Sequence, residues 1–359
     1  MDIASVKLAI LFSGLLLGIV FGFACQRSRF CFLGVISDIY VYGNPGRLTL
    51  YLLTLLTAVL GSQILIWHGF LNPIDSVYFN IKNQTVSCIF GGVLFGIGMT
   101  LCSGCTTSNL IKVGEGNIKS LLILILTGIV AISTMRGSLG VARVHILEDN
   151  FIIRKVNGFF ELNDSLVSLV EPAFFLVLII ATFYILSKKS IDCKGNAIWG
   201  FIMGLCIVGA WFMSGNIGFI AEHPETLESK YLLTNSGRPE SFSFIGPLVH
   251  SLEFFLYQSD SSKFISFGIT ILLGLLFGSF LSSFFQGRFK IEFFTTKSDF
   301  FYCAIGSSFM GIGGVTAFGC TLGHGLTGLS IGALNSIITV VSIIFGVTLG
   351  IRHLENKVA

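Results

Sequence analysis

The sequence predicts an all-α polytopic membrane protein in which a pseudo-symmetric repeat contains broken or half helices and central loops. Hydrophobic residues make up 53% of the 359 residues and charged residues only 11%, and the mean hydropathy is +0.85. Apolar runs long enough to cross a bilayer recur along the chain. Two Gly-rich segments, Gly91–Thr106 and Gly306–Thr321, are identical at seven of sixteen aligned positions, and both end in Gly-Cys-Thr. A duplicated apolar element that stops at a reactive side chain is typical of transporters with interrupted helices.

Seven apolar segments are predicted to span the bilayer as helices. They are Leu8–Ala24, Leu48–Trp67, Ile118–Thr134, Pro172–Leu186, Ala197–Met213, Phe264–Phe285 and Gly328–Gly350. Two further apolar runs, Ser87–Leu101 and Phe301–Phe318, end in the Gly-Cys turn, so they either stop at mid-membrane or cross as broken helices. The first segment is not expected to be a cleavable signal peptide, because it lacks a basic leader and a small-x-small cleavage site.

The repeats divide a single transmembrane transport domain, residues 1–359, into pseudo-repeats at roughly 1–140 and 195–359. The polar stretches Met135–Glu171 and Ser214–Ser243 are expected to be solvent-facing loops with short helices. Four predicted helices lie between the two Gly-Cys elements, so the repeats are parallel if those elements dip and return, and inverted if they cross. We favour inverted repeats, because broken helices that meet at the midplane commonly have that arrangement. The basic loops Lys188–Lys194 and Arg288–Lys297 are expected in the cytosol.

The duplicated turn is predicted to bind a small anion. Half-helices that meet inside the membrane leave unpaired N–H groups and a positive dipole end there. In this interpretation the paired cysteines present soft sulfur, the paired glycines permit the turn, and the paired threonines cap the next half-helix. These pairs are Cys105 and Cys320, Gly104 and Gly319, and Thr106 and Thr321. The alternative is that each cysteine is a small hydrophobe at a helix contact, and the duplication argues against it.

The glycines of the turn are expected either to have φ > 0 or to lie too close to a facing helix for a Cβ. Gly18 is expected to tolerate alanine, because it lies on a plain helix. Four other cysteines lie in apolar runs or in a basic loop and are expected to be dispensable. They are Cys88, Cys193, Cys206 and Cys303.

Several other residues allow two interpretations. Cys102 and Cys105 form a CxxC with a redox or metal interpretation, although the second copy has Ala317 in place of Cys102. His324 suggests a metal or Cys–His pair with Cys320, yet a polar lining or capping role is favoured, because the first copy has Asn109 there.

The charged residues near the turns are also ambiguous. Arg27 and Arg29 either anchor the first helix at the interface or gather anions at the pore mouth. Glu115 is expected to be interfacial. The sequence contains no P-loop, dinucleotide fingerprint, HExxH or paired intramembrane carboxylates. We therefore predict no catalytic residue, metal, cofactor or nucleic-acid partner.

Three motifs in order resemble the YeeE/YedE family of bacterial sulfur-compound transporters. The family's opening Gln-Arg-x-Arg-Phe-Cys is matched by Gln26–Cys31, and its central loop is matched by Ser103–Cys105 followed by Gly114–Gly116. Its closing Gly-Cys-x-x-Gly-x-Gly-Leu is matched by Gly319–Leu326. The three motifs together span nearly the whole chain. Three positions depart from the family, which usually has glycine there: Ser103, Ser108 and Phe318.

The resemblance implies an hourglass-shaped bundle and multi-pass uptake of thiosulfate across the bacterial inner membrane. It implies that Cys31, Cys105 and Cys320 form a cysteine relay that contacts the anion through S–H hydrogen bonds. The implied partners are thiosulfate, the lipid bilayer and a cytosolic TusA-like sulfur-carrier protein. A thiol suits the terminal sulfur of thiosulfate, because weak donors bind the ion without trapping it.

Two other function classes stay open from the sequence. One is a membrane thiol redox or sulfurtransferase enzyme that uses Cys102 and Cys105, or Cys31 as a persulfide carrier. The other is a soft-metal transporter that works through thiolates. Uptake of labelled thiosulfate without chemical change would distinguish the transporter from both.

Overall fold

The computed structural model describes residues 3–79, 85–147, 193–222, 229–260, 263–294 and 296–358. Its α-helices are α1 Ile3–Ser28, α2 Phe32–Ser37, α3 Gly46–Trp67, α4 Thr85–Leu101, α5 Thr106–Gly114, α6 Ile118–Arg136, α7 Ser138–Leu147, α8 Cys193–Phe212, α9 Ile245–Leu256, α10 Phe267–Phe285, α11 Lys297–Thr316 and α12 Leu334–Val358. The described strands are β1, Phe219–Ile220, and β2, Lys230–Tyr231, which pair antiparallel. Seven helices in this part of the chain are long and apolar enough to cross a membrane. The all-α polytopic prediction is confirmed.

Short π-helical turns follow several of these helices. They cover Asp38–Tyr42, Met213–Ile217 and Gly323–Gly328, and Pro73–Asp75 forms a 3-10 turn. The predicted span Gly328–Gly350 therefore starts too early: α12 begins at Leu334, because the π-turn and the left-handed Gly332 (φ 80°) precede it.

The start of α11 also differs from the prediction, for a local reason. The run predicted to begin at Phe301 begins at Lys297, because the Thr296 side chain accepts a hydrogen bond from the Asp299 N–H and caps α11. The polar stretch from Met135, predicted to contain short helices, contains α7. The predicted helix Pro172–Leu186 and Lys188 of the first basic loop lie outside the described residues.

Helix α1 packs against α10 through glycine. A Cβ added at Gly18 would lie 2.4 Å from the Ile271 carbonyl oxygen, and one at Gly22 would lie 2.3 Å from that of Leu275. Residue numbers rise together along this contact, so α1 and α10 are parallel. The expectation that Gly18 tolerates alanine is therefore wrong: the helix is not plain there, because the backbone of α10 occupies the space.

A second parallel pair is formed by α3 and α8. A Cβ added at Gly200 would meet Leu53 at 3.2 Å, and one at Gly204 would meet Thr57 at 2.5 Å. Each pair joins a helix before residue 140 to a helix after residue 192. The two parts of the chain therefore share their helix contacts and do not form separate bundles.

The repeated Gly-rich segments themselves face each other. A Cβ added at Gly91 would lie 2.7 Å from the Gly313 carbonyl oxygen, and one at Gly98 would lie 2.6 Å from that of Gly306. Residue numbers run in opposite directions here, so α4 and α11 are antiparallel. Small residues let these two backbones touch at the centre of the bundle.

Candidate functional site

Three turns of the chain share one backbone design. Arg29, Ser103 and Phe318 have φ of 53°, 54° and 63°, in the left-handed region. Each of them lies two residues before a cysteine: Cys31, Cys105 or Cys320. Of the two alternatives predicted for Gly104 and Gly319, positive φ is excluded, because the left-handed residue immediately precedes each glycine.

The same hydrogen bond closes each turn. The N–H of the residue after the left-handed position donates to the carbonyl oxygen five residues earlier, which is a Schellman motif at a helix end. The three bonds are Phe30 to Cys25 at 3.0 Å, Gly104 to Met99 at 2.9 Å and Gly319 to Gly314 at 2.9 Å. The chain thus ends one helix and begins the next within about three residues, three times.

Each cysteine then precedes the next helical segment. The Gly34 N–H donates to the Cys31 sulfur at 3.4 Å, and the Gly323 N–H donates to the Cys320 sulfur at 3.4 Å. Cys105 is the N-cap residue of α5, but its side chain makes no capping hydrogen bond. At Cys31 and Cys320 the sulfur therefore occupies the place of a capping oxygen.

The predicted capping role of the threonines is therefore wrong. Thr106 is the first residue of α5, and Thr321 is helical. Neither residue precedes its helix, so the cysteine before it holds the capping position. Among the described residues, the buried hydroxyls of Thr106 and Thr107 have no hydrogen-bond partner.

Two of the three cysteines line one narrow cavity, which we call the constriction, and Cys320 directly precedes its lining residue Thr321. Cys31, Cys105 and Thr321 line a cavity of about 10 Å³. Cys105 interacts electrostatically with both Cys31 and Cys320, and the Thr321 side chain is within hydrogen-bond reach of its sulfur. A space of this size holds about one water molecule. The constriction is closed to any larger anion in this conformation.

The residues around the constriction offer weak hydrogen-bond donors. Thr107 and Ser108 line the same cavity, together with aromatic and aliphatic side chains from the other elements. No lysine or arginine is among its lining residues. An anion at this point would meet hydroxyls, thiols and helix N-termini, and no full positive charge.

His324 fixes the third turn. Its Nε2 lies 2.7 Å from the Ala317 carbonyl oxygen and therefore donates, while Nδ1 lies 3.1 Å from the Ser336 hydroxyl. The residue is fully buried, and both ring nitrogens are engaged within the protein. Among the described residues, no group of three His, Cys, Asp or Glu side chains could hold a metal ion.

The CxxC cysteines point to different neighbours. The Cys102 sulfur donates to the Cys303 carbonyl oxygen at 3.3 Å, whereas Cys105 contacts Thr321. The two are therefore placed for different roles. The interpretation of Cys102 and Cys105 as one redox or metal pair does not fit this geometry.

A polar network behind the turns was not predicted. Gln26 is buried; its Oε1 accepts from the Ser282 hydroxyl and from Gln286 Nε2, both at 2.6 Å. Its Nε2 donates to Glu115 Oε1 at 3.0 Å. The network joins the end of α1 to the ends of α5 and α10. Glu115 is held by this bond, although it was expected to be merely interfacial. The sequence signal that could have indicated this network is Gln26, a glutamine inside an apolar run.

The arginines after α1 have exposed side chains. Arg29 serves the site through its left-handed backbone, while its guanidinium faces outward. Arg27 is exposed in the same way. Neither side chain lines the constriction.

A larger cavity of about 450 Å³ reaches the third turn at Phe318 and Gly319. Its lining includes Arg143, whose guanidinium lies 5.8 Å from the centre of the Phe318 ring. Arg136 also lines it and forms an ion pair with Glu253 at 3.0 Å. This cavity carries positive charge directly beside the turn that bears Cys320.

One acid lines the same cavity. Burial raises the pKa of Glu240 above its usual range, although hydrogen bonds from Ser236 oppose the shift. Protonation of this carboxyl removes a negative charge from the cavity. The charge that an anion meets there therefore depends on pH.

Comparison with known proteins gives one family and two curated relatives. The sequence profile of the family described as "Sulphur transport" matches residues 27–349. The thiosulfate transporter TsuA of Spirochaeta thermophila is 25% identical over 350 residues, which cover 94% of this chain and 96% of that protein. The thiosulfate transporter TsuA of Escherichia coli is 26% identical over 352 residues, which cover 94% of this chain and 93% of that protein. The matched region contains all three cysteine turns.

Proposed function

Because the chain belongs to the sulphur transport family, and is thus a multi-pass membrane transporter of sulfur compounds and not an enzyme, we propose that it takes up thiosulfate across the bacterial inner membrane. The anion passes a constriction formed by Cys31, Cys105 and Cys320. The observation that supports this proposal is that three helical segments start at cysteines, two of which, Cys31 and Cys105, line one cavity, while the third, Cys320, directly precedes the lining residue Thr321.

The chemistry of the constriction suits a soft divalent anion. Each helix start contributes N–H groups and the positive end of a dipole. The thiols add weak S–H donors, which match a large and polarisable terminal sulfur. A lysine there would hold the ion more firmly, whereas transport needs binding that is weak enough to release it.

The closed constriction requires a conformational change, and the helix pairing supports inverted repeats as its basis. Helix α4 is antiparallel to α11, its counterpart in the second repeat. The pairs α1–α10 and α3–α8 are both parallel, as expected if α1 corresponds to α8 and α3 to α10. We therefore propose that residues 1–140 and 195–359 are inverted repeats that rock about the constriction.

Charge indicates the orientation of the protein in the membrane. The starts of α6 and α11 lie on one face, where Lys119 pairs with Asp299 at 2.7 Å. The basic loop with Arg288 and Lys290 reaches the same face, since the Lys290 N–H donates to the Glu115 carbonyl oxygen at 3.0 Å. The positive-inside rule makes this face cytosolic.

The opposite face carries the cavity with Arg143, which we propose as the periplasmic vestibule that collects thiosulfate. Cavities on both sides of a constriction form the hourglass proposed for this protein. A cytosolic TusA-like sulfur carrier is the proposed partner on the inner face, and its capture by the purified transporter tests that part alone.

The test is uptake into liposomes that contain the purified protein. Thiosulfate labelled on either sulfur atom should accumulate inside and remain thiosulfate when the contents are separated. Release of sulfite would instead support a sulfurtransferase. Uptake of copper(I) but not thiosulfate would support a metal transporter.

A further inference from the structure

Cys102 and Cys303 form a second thiol pair outside the constriction. Cys102 directly follows α4, and Cys303 lies in α11. The Cys102 sulfur donates to the Cys303 carbonyl oxygen at 3.3 Å, so the Cys102 side chain reaches the backbone of Cys303 itself. Each residue is 1% exposed. The pair therefore joins one helix from each proposed repeat.

The backbones of the two helices already touch at this point. A Cβ added at Gly306 would lie 2.7 Å from both the Cys102 sulfur and the Gly98 carbonyl oxygen. Disulfides require closely spaced backbones with compatible side-chain directions. The contact at Gly306 brings the backbones of α4 and α11 close enough to meet the first of these requirements.

A polar cavity gives small solutes access to the pair. Cys102 lines a cavity of about 320 Å³ that also contains Lys119 and Asp299. The Cys303 sulfur lies 3.8 Å from Asp299 Oδ1, which is placed to accept its proton. The cavity lies on the face that we assign to the cytosol, where thiols are normally reduced.

We propose that Cys102 and Cys303 form a reversible disulfide in response to a peroxide, and that this bond arrests transport. The inference rests on the proposed function, because it concerns regulation of the same path. It concerns different residues from those of the proposed function, because neither Cys102 nor Cys303 lines the constriction.

The reaction balances with a peroxide as the oxidant. The Cys102 sulfur attacks one peroxide oxygen, the O–O bond breaks, and a sulfenic acid and one water form. The Cys303 sulfur then attacks the Cys102 sulfur, the S–O bond breaks, and the second oxygen leaves as water with the proton of the Cys303 thiol. Two thiols are oxidised by two electrons, and hydrogen peroxide is reduced to two waters.

The disulfide would act through the helices that it joins. Helix α4 leads into the Cys105 turn, and α11 leads into the Cys320 turn. Opening of the constriction requires these two turns to move relative to each other. A covalent bond between the helices prevents that motion. The second copy has Ala317 at the position that matches Cys102, so a disulfide can form at only one end of the contact between α4 and α11.

The experiment uses the full-length protein in liposomes with radiolabelled thiosulfate and hydrogen peroxide. The variants are Cys102→Ala, Cys303→Ala and the double variant. The matched control is Cys88→Ala, which removes a buried cysteine from the same helix. Differential alkylation and peptide mapping identify the disulfide directly.

We expect peroxide to reduce wild-type and Cys88→Ala uptake by at least about tenfold, with recovery after dithiothreitol, and to leave the three variants unaffected. A mapped Cys102–Cys303 bond should appear together with the loss. Equal inhibition of the variants, or no such bond in inhibited wild type, would overturn the inference. If reduced wild type fails to take up thiosulfate, the proposed function fails, while peptide mapping still decides whether the disulfide forms.

Discussion

Ser103 and Phe318 adopt the same left-handed backbone conformation at equivalent points of the two repeated segments, each two residues before a cysteine. Residues with a Cβ rarely adopt this conformation, and glycine adopts it without strain. These are also two of the positions where the resembling family usually has glycine. Ser103 and Phe318, which depart from the family pattern, therefore add backbone strain at the site itself.

Ser103→Gly should stabilise the protein. The left-handed conformation costs serine about 1 kcal/mol, and part of that gain is offset by the greater freedom of glycine in the unfolded chain. We expect a net gain of about 0.5 kcal/mol and an increase in Tm of the detergent-solubilised protein, with uptake retained. Lys112 bonds the carbonyl oxygen of this residue, so its contact is kept. A lower Tm would show that the serine side chain contributes more than the strain costs.

Serine in place of Cys31, Cys105 or Cys320 should reduce the initial rate of thiosulfate uptake at least about tenfold. A tenfold change corresponds to about 1.4 kcal/mol of lost contact with the anion. The hydroxyl lacks the large soft sulfur, although at Cys31 and Cys320 it can keep the capping hydrogen bond. Cys88→Ser and Cys206→Ser are the controls, because both thiols are buried away from the constriction. Full activity in any of the three path variants would refute the relay.

The membrane class and most helices could be predicted from apolar runs alone, because a bilayer demands continuous hydrophobic segments. The helix ends were less predictable. Leu334 starts α12 because a π-turn precedes it, and no hydrophobicity signal marks a π-turn. Gly18 shows the same limit at the level of packing, since only the position of α10 reveals why that glycine matters.

Alanine substitutions at three glycines should rank in an order that the structure sets. A Cβ at Gly18 meets a backbone oxygen, which cannot move away, so Gly18→Ala should cost about 1–3 kcal/mol. At Gly319 the new Cβ would lie 2.9 Å from the buried His324 ring, so the cost is intermediate. At Gly104 it would lie 3.1 Å from the Ser108 hydroxyl oxygen, and the effect should be the smallest. Thermal unfolding checks the order, and equal losses would contradict it.

The site itself was predictable where chemistry repeats in the sequence. The Gly-Cys-Thr copies identified Cys105 and Cys320, whereas Cys31 was assigned from the motif that precedes it. The capping sulfurs of Cys31 and Cys320 could not be predicted, because hydroxyl and carboxylate side chains are the preferred caps and Thr321 directly follows Cys320. The Gln26 network was also missed, since its partners are far away in the sequence.

Arg143→Gln should raise the KM for thiosulfate severalfold with little change in the maximal rate. The guanidinium lines the cavity beside Phe318 that we propose as the periplasmic vestibule, so we expect it to act on capture and not on passage. The difference should shrink at high ionic strength, where charge is screened. Arg136→Gln is the matched comparison, because its charge is partly compensated by Glu253, and its effect should be smaller. An unchanged KM in Arg143→Gln would remove this residue from the path.

The affinity for thiosulfate should fall as the external pH rises through the raised pKa of Glu240. Below that pKa the carboxyl is neutral, and above it the carboxylate repels the anion in the same cavity. Glu240→Gln should keep the higher affinity over the range from about pH 5 to about pH 8. Glu222→Gln, at an exposed position, serves as the control. A pH profile that Glu240→Gln does not flatten would exclude this carboxyl as its origin.

The parallel pairing of α1 with α10 has a consequence for biosynthesis. Helix α1 is made first, yet the surface that covers its glycine face belongs to a helix made near the end of the chain. The same holds for α3, which must wait for α8. The early helices therefore enter the membrane with uncovered grooves, and the contact between α1 and α10 forms only after Phe267–Phe285 has been made. A chain that stops before Phe267 leaves the glycine face of α1 without the helix that covers it.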